Sequence, residues 1–288
     1  MELYSVNAGY FKLDGGAMFG VVPKSMWEKL NPADENNMCS WATRCLLVKE
    51  NDRLILIDTG MGNKQSEKFF GYYYLHGEDT LEKSLAANGF HANDITDVIL
   101  THLHFDHCGG AIRREGDTLI PAFPNATYWS TRKHWDWAIQ PNDREKASFL
   151  KENIEPLASS GKLKFIEPLS DVENNSVLQE TPFTENISIL FTHGHTESMM
   201  LPKIRYKGRT IVFMADLLPS VGHLPIPYIM AYDMFPYTTL QEKKLFLEQA
   251  LAENYILFFE HDPLIECCDL QKLGIAIRSK DTFRIDQL

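Results

Sequence analysis

Residues 101–110 read THLHFDHCGG and stand directly behind the apolar run Val98-Ile99-Leu100. His102, His104, Asp106 and His107 share six positions there, a density that neither a solvated loop nor a packed core requires. On an extended strand end, residues two apart point the same way, so His102 and His104 can reach one ion together. Asp106 and His107, one turn further on, can then face a second. Imidazole mixed with carboxylate is the ligand set of a hydrolytic Zn²⁺ site, and Mn²⁺, Fe²⁺ and Co²⁺ accept similar donors. A lone histidine is ordinarily a hydrogen-bonded structural group. Four ligand-type side chains at this spacing point instead to metal.

A local cluster fills only part of two coordination shells, so further ligands are expected at the ends of other strands. Three candidates follow in order, each behind an apolar run: His195 in ILFTHGHT, Asp216 in IVFMAD and His261 in ILFFEH. Each sits where a strand meets a loop, the place at which a rigid sheet collects functional side chains.

The rest of the chain alternates strands and helices. Residues 45–60, CLLVKENDRLILIDTG, read as a hairpin turning at Glu50-Asn51-Asp52, with Asp58 in the closing glycine turn. Residues 78–89 read as a helix, with Thr80 as its cap, Leu81, Leu85 and Ala86 as its apolar stripe and a terminal glycine. DVILTHLHFDH reads as a strand running into the cluster, TYWS, KLKFI, ISILFTHGH, MLPKIRYKG, RTIVFMADLLP and YILFFEHD read as further strands, and TTLQEKKLFLEQALAEN as an amphipathic helix. The polar stretch 142–159 reads as a mostly solvated helix. Hairpins interleaved with helices, with no linker between them, predict a single domain over residues 1–288 built on two sheets with helices outside.

Composition narrows the function. The chain of 288 residues is 44% hydrophobic and carries a formal net charge of -11, without a lysine- or arginine-rich run. An electrostatic grip on nucleic acid is therefore not expected. No apolar stretch is long enough to span a bilayer, and the N-terminus lacks a basic segment leading into an apolar one. Five cysteines, Cys39, Cys45, Cys108, Cys267 and Cys268, form an odd and unpatterned set, as free thiols do in a reducing compartment. The cytoplasm is the expected location.

With these residues in view, the sequence resembles the metallo-β-lactamase superfamily in its dinuclear form, whose pattern is HxHxDH, then a histidine, a bridging aspartate and a last histidine. Asp58 in LIDTG, the 102–107 cluster, His195, Asp216 and His261 fall in that order over most of the chain. Within the superfamily, GGAMFGVVPKSMW (residues 15–27) and HLHFDH look like the N-acyl-homoserine lactone lactonases, the quorum-quenching enzymes, and relatives that include methyl parathion hydrolase.

The resemblance implies an α/β four-layer αβ/βα sandwich with the site at one edge. It assigns His102, His104 and His195 to one divalent ion, Asp106, His107 and His261 to another, and Asp216 to both, with Zn²⁺ as the first expectation. Ions about 3.5 to 4 Å apart share a water, lower its pKa and polarise the carbonyl it attacks. A hydroxide bridging the ions would open a lactone, and Asp106 is the expected catalytic proton shuttle. Asp58 is expected to orient the ligand loops from behind.

Three departures bear on the substrate pocket. Many lactonases carry a substrate-binding tyrosine three residues after the bridging aspartate, where this chain has Pro219. His223, Tyr228 and Tyr232 are candidates to take its place. Ser198 replaces the usual glycine after GHT, and His193 stands where proline is common. Met18, Phe19 and Phe105, together with Met26 and Trp27, are candidates for an apolar pocket wall, core packing being the ordinary account of such residues. Packing is also the expected role of Cys108, and Cys267-Cys268 are expected in a helix or loop beyond the last ligand.

The expected function is a dinuclear metallohydrolase opening a small-molecule lactone, foremost an N-acyl-homoserine lactone. Phosphotriester or arylester hydrolysis is the alternative reaction, and a non-catalytic metal-binding protein the alternative class. The relatives also suggest a homodimer in contact through the N-terminal segment.

Overall fold

The computed structural model of the chain describes residues 1–169 and 178–288. They divide into two compact units, the first made of Met1–Tyr10 with Ala42–Glu167, the second of Phe11–Trp41 with Pro168–Leu288.

The first unit is organised by a sheet in the order Glu2–Asp14, Met38–Glu50, Arg53–Ile57, Asp97–Ile99, Thr127–Ser130 and Leu163–Phe165, although residues 11–14 and 38–41 of its first two strands belong to the second unit. Met38–Glu50 and Arg53–Ile57 form the expected hairpin, Glu50 opposite Arg53. Its two-residue turn relies on Asn51, whose φ of 52° asparagine tolerates better than most residues. The next three pairings are parallel, and Ile57 registers with Ile99. Leu46, Leu47, Val48, Ile55, Leu56 and Ile57 are all buried, so this hairpin shows apolar residues on both faces rather than alternation. Parallel strands place their carboxyl ends at one edge, where α/β sheets gather ligands. Asp58 and the 101–107 cluster leave the sheet at that edge.

The second unit is built on a seven-stranded sheet, in the order Ala276–Phe283, Cys267–Leu273, Ile256–Phe258, Arg209–Phe213, Met199–Tyr206, Ile187–Thr192 and Glu180–Pro182. Arg209–Phe213 and Ile256–Phe258 are parallel, with Phe213 opposite Phe258. Ile187–Thr192 is antiparallel to Met199–Tyr206, which is antiparallel to Arg209–Phe213, so the three strands that precede His195, Asp216 and His261 run the same way. Asp216 and His261 each lie three residues beyond that register pair, and His195 three residues beyond Thr192. The helix Pro236–Ala252 faces this unit with buried Thr239, Glu242, Lys243, Phe246, Leu247 and Ala250.

Four sequence readings need correction, and one strand was missed. The strands read as ISILFTHGH, RTIVFMADLLP and YILFFEHD end at Thr192, Phe213 and Phe258, so the polar residues after them lie in loops. The helix expected over 142–159 covers only Lys151–Ser159, and the stretch before it is not solvated, since Glu145 and Phe149 are buried. Cys267 and Cys268 lie in the strand Cys267–Leu273. The strand before the HxHxDH cluster ends at Ile99, and Asp106 and His107 lie on the single helical turn Phe105–Cys108. The N-terminal strand Glu2–Asp14 was not legible, because its apolar residues follow no strict alternation: Leu3, Val6 and Phe11 are its buried apolar positions. Among the described residues no helix is long and apolar enough to cross a membrane.

Candidate metal centre

In the first unit, Asp58 is fully buried at a φ of 57° and acts as the hub of the 101–107 loop. Its Oδ1 accepts the Thr101 backbone N–H at 2.7 Å, and its Oδ2 accepts the Thr101 hydroxyl at 2.6 Å and His107 Nδ1–H at 3.0 Å. An ionised carboxylate without such donors would cost several kcal/mol in a dry interior. The loop is fastened again by Thr59, whose N–H and hydroxyl both donate to the His107 carbonyl at 2.8 Å. Between His102 and His104, the Leu103 N–H donates to Nε2 of buried His134 at 2.8 Å.

These partners decide which ring nitrogen carries the proton. Because the Thr101 hydroxyl is given to Asp58, its oxygen accepts Nδ1–H of His102, 3.1 Å away. Glu145, which can only accept when ionised, takes Nε2–H of His104 at 2.9 Å. Glu145 is itself held by the Trp137 indole N–H at 2.6 Å and the Asn142 amide at 3.2 Å. His102 Nε2 and His104 Nδ1 therefore face one another 3.0 Å apart with their protons committed to the opposite nitrogens. Two lone pairs at that separation repel unless a cation lies between them. The same logic leaves Nε2 of His107 on the side of Asp106, 3.9 Å from its Oδ2.

The second unit supplies a matching set. His195 Nδ1–H donates to Asp233 Oδ1 at 2.8 Å, and its Nε2 lies 3.1 Å from Asp216 Oδ2. Asp216 Oδ1 lies 3.1 Å from Nε2 of His261. One carboxylate thus presents a different oxygen to each of two histidines. Burial alone would lower the His195 pKa, but the carboxylates of Asp216 and Asp233 outweigh it and push the ring up to about 10. The field that would hold a proton there is the field that would hold a divalent cation.

The loop before His195 is set by the helix Pro236–Ala252. Buried Glu242 accepts the N–H of His193 at 2.6 Å and of Gly194 at 3.0 Å. Gly194 lies so close to the helix that a Cβ would come within 2.3 Å of Thr239. Burial pushes the Glu242 carboxyl up to about 7 against the pull of those donors. His193 turns its ring to Glu197, 2.8 Å away, as a residue outside the ligand set does.

The pocket candidates divide between the units. Phe105 packs in the first unit against Phe69 and Tyr73, with ring centroids 5.2 and 4.7 Å apart. In the second unit Phe19 is stacked between Trp27 and His223, at 5.3 and 4.5 Å. Both ring nitrogens of His223 are used, one against Ser220 Oγ and one against the Met18 carbonyl, each at 2.9 Å, and burial pushes its pKa down to about 3. Met18 is buried, Met26 and Tyr232 are exposed, and Tyr228 is half-buried. Buried Cys108 donates its thiol to the Leu103 carbonyl, and burial pushes it up to about 12.

Glu145, Asp233, Glu242 and His134 escaped the sequence reading. None belongs to a ligand motif, and no local pattern marks a carboxylate as the partner of a histidine far along the chain.

The model of the Metallo-beta-lactamase superfamily matches residues 41–261. The chain belongs to this superfamily. Its mixed sheets with helices are the superfamily's fold, and it is a metal-dependent hydrolase. An N-acyl homoserine lactonase of Bacillus cereus is 31% identical over 274 residues, covering 91% of this chain and 93% of its own. A lactonase of Bacillus thuringiensis is 24% identical over the same shares. Among solved structures, a probable metal-dependent hydrolase from Staphylococcus aureus has a TM-score of 0.85 at 28% identity and covers 98% of both chains. A dizinc quorum-quenching lactonase in complex with a product has a TM-score of 0.78 at 23% identity, over 98% of this chain and 94% of its own.

Proposed function

We propose that this metallo-β-lactamase superfamily member is a dinuclear lactonase acting on N-acyl-homoserine lactones, and so a quorum-quenching enzyme. The observation that carries the reading is the pair of opposed lone-pair nitrogens on His102 and His104, matched by the carboxylate of Asp216 turned to both His195 and His261. This donor set fits divalent cations, with Zn²⁺ first, because it is imidazole and carboxylate and because carboxylates stand behind His104, His107 and His195. His102, His104 and His195 would hold one ion, Asp106, His107 and His261 the other, and Asp216 both. When bound, the two ions would lower the pKa of a shared water and polarise the lactone carbonyl.

The remaining roles fall to the chain itself. Asp106, at the mouth of the loop, would move the proton to the leaving ring oxygen through its carboxylate. Asp58 keeps His107 and, through Thr101, His102 in the ligating tautomer. Met18, Phe19 and Phe105 would form apolar wall for the acyl chain, and His223 would hold Met18 in place. The lactonase relatives, which match over nine-tenths of their length, favour this substrate class.

The test is metal content per chain together with initial rates on an acyl-homoserine lactone, paraoxon and an aryl ester in one buffer. Two equivalents of metal and a dominant lactonase rate are expected. A dominant triester or aryl-ester rate would transfer the function to that chemistry, and absence of metal after reloading would overturn the site.

A further inference from the structure

We infer that Lys243 is a positioning residue for the substrate side of the site, acting through residues 225–231 on Met18 and Phe19. The inference rests on the proposal that those two residues are pocket wall.

Lys243 lies within the helix Pro236–Ala252 and is fully buried. Its ammonium donates to the carbonyls of Pro225 and Tyr228, at 2.8 and 2.9 Å. Both hydrogen-bond acceptors are neutral main-chain oxygens, so this buried cation holds a piece of backbone, while the carboxylate of Asp233 acts on it through its charge. Burial pushes its pKa down to about 7, the mark of a group kept out of water by its surroundings.

From the two carbonyls the hold passes to the N-terminal segment. The Tyr228 N–H closes a turn onto the Pro225 carbonyl at 2.9 Å, and the Ala231 N–H donates to the Ala17 carbonyl at 2.8 Å. Ile229 presents its carbonyl beneath Gly20, whose φ is 58° and where a Cβ would come within 2.4 Å of that oxygen. The Tyr228 ring meets Phe19 edge-on at 6.2 Å. Adjacent residues of one helix therefore serve different loops. Glu242 grips the backbone before the ligand His195, whereas Lys243 grips the segment that seats Met18 and Phe19.

Because the two grips are separate, loss of Lys243 should loosen the pocket wall and leave the ligand loop in place. The experiment compares the metal-loaded full chain with Lys243→Met and Lys243→Arg, using whichever substrate the wild type turns over fastest. Metal content and kcat should be kept while KM rises roughly tenfold in Lys243→Met, as for lost ground-state binding, with part of the loss recovered in Lys243→Arg. Hydrogen exchange supplies a readout independent of substrate. The Ala231 amide, which donates to Ala17, should exchange faster, while Met234 and Phe235, which donate to His195 and Gly194, keep their protection.

Unchanged KM with unchanged Ala231 exchange would overturn the inference, as would joint loss of metal, kcat and Met234 protection. Gly20→Ala, which pushes on Ile229 from the other side, should raise KM in the same way. If Lys243→Met fails to fold and Gly20→Ala leaves KM and Ala231 exchange unchanged, the inference falls. Should the wild type turn over no substrate at all, the proposed function fails, while Ala231 exchange still decides the role of Lys243.

Discussion

Glu145 Oε1 lies 2.9 Å from Nε2 of His104, forty-one residues away in sequence, and fixes which ring nitrogen of that histidine keeps its lone pair. The carboxylate both orients the ring and raises its basicity. Glu145→Gln keeps the shape and, through its side-chain amide, can hydrogen-bond the wrong tautomer equally well. Metal affinity should therefore fall by about 10- to 100-fold, the range for partners standing behind a ligand. Competition against a chromogenic chelator measures this directly; wild-type affinity would reduce Glu145 to a space-filling role.

Asp216 is expected to be the residue whose loss is felt by both ions, because its two oxygens face His195 and His261 separately. Asp216→Ala should lower metal content below two equivalents and abolish turnover, while His104→Ala should deplete one equivalent. Elemental analysis of the purified variants, set beside single-turnover rates, checks the pair. Undiminished turnover in Asp216→Ala would sink the two-metal reading.

The candidate ligand positions were legible because each follows an apolar run closely, and strands of one direction deliver such positions to one edge. The structure places Asp216 and His261 equally far beyond the register pair Phe213 and Phe258. Such a pattern could not reach Glu145. The charged stretch around it reads as a solvated helix, yet Glu145 is buried by tertiary contacts with His104 and Trp137. The strand Glu2–Asp14 was missed for a related reason, since its burial pattern answers to the packing of its surroundings rather than to a period of two. Asp58 was legible from its glycine turn, but its positive φ and three accepted hydrogen bonds are properties of the folded loop.

All five cysteines are buried, and burial pushes Cys39 up to about 11 and Cys108 to about 12. Thiols are nucleophilic only as thiolates, so a group titrating so high and shielded from solvent is inert near neutrality. Ellman titration of the native protein at pH 8 should detect almost no reactive thiol, and the denatured chain should give five. Rapid modification of Cys108 in the native protein would contradict its placement as a packing residue.

Lys243 also gives the fold a pH dependence whose sign is opposite to ordinary alkaline weakening. Its folded pKa of about 7 lies below the ordinary value of 10.5, so burial disfavours the charged form. Between those two values the unfolded chain binds more protons than the folded one, and stability contributed by this group must rise with pH. It is present in full above the unfolded value and lost as pH falls through 7, with a ceiling of about 5 kcal/mol from the size of the shift. Other groups titrate in the same window, so the contrast with Lys243→Met isolates the effect. Urea unfolding of both proteins from pH 6 to 10.5 should give a stability difference that is flat below pH 7 and then moves in favour of the wild type. A difference that stays constant across the whole window would mean that the ammonium remains charged in the folded chain, solvated at the carbonyls of Pro225 and Tyr228 rather than sealed against them.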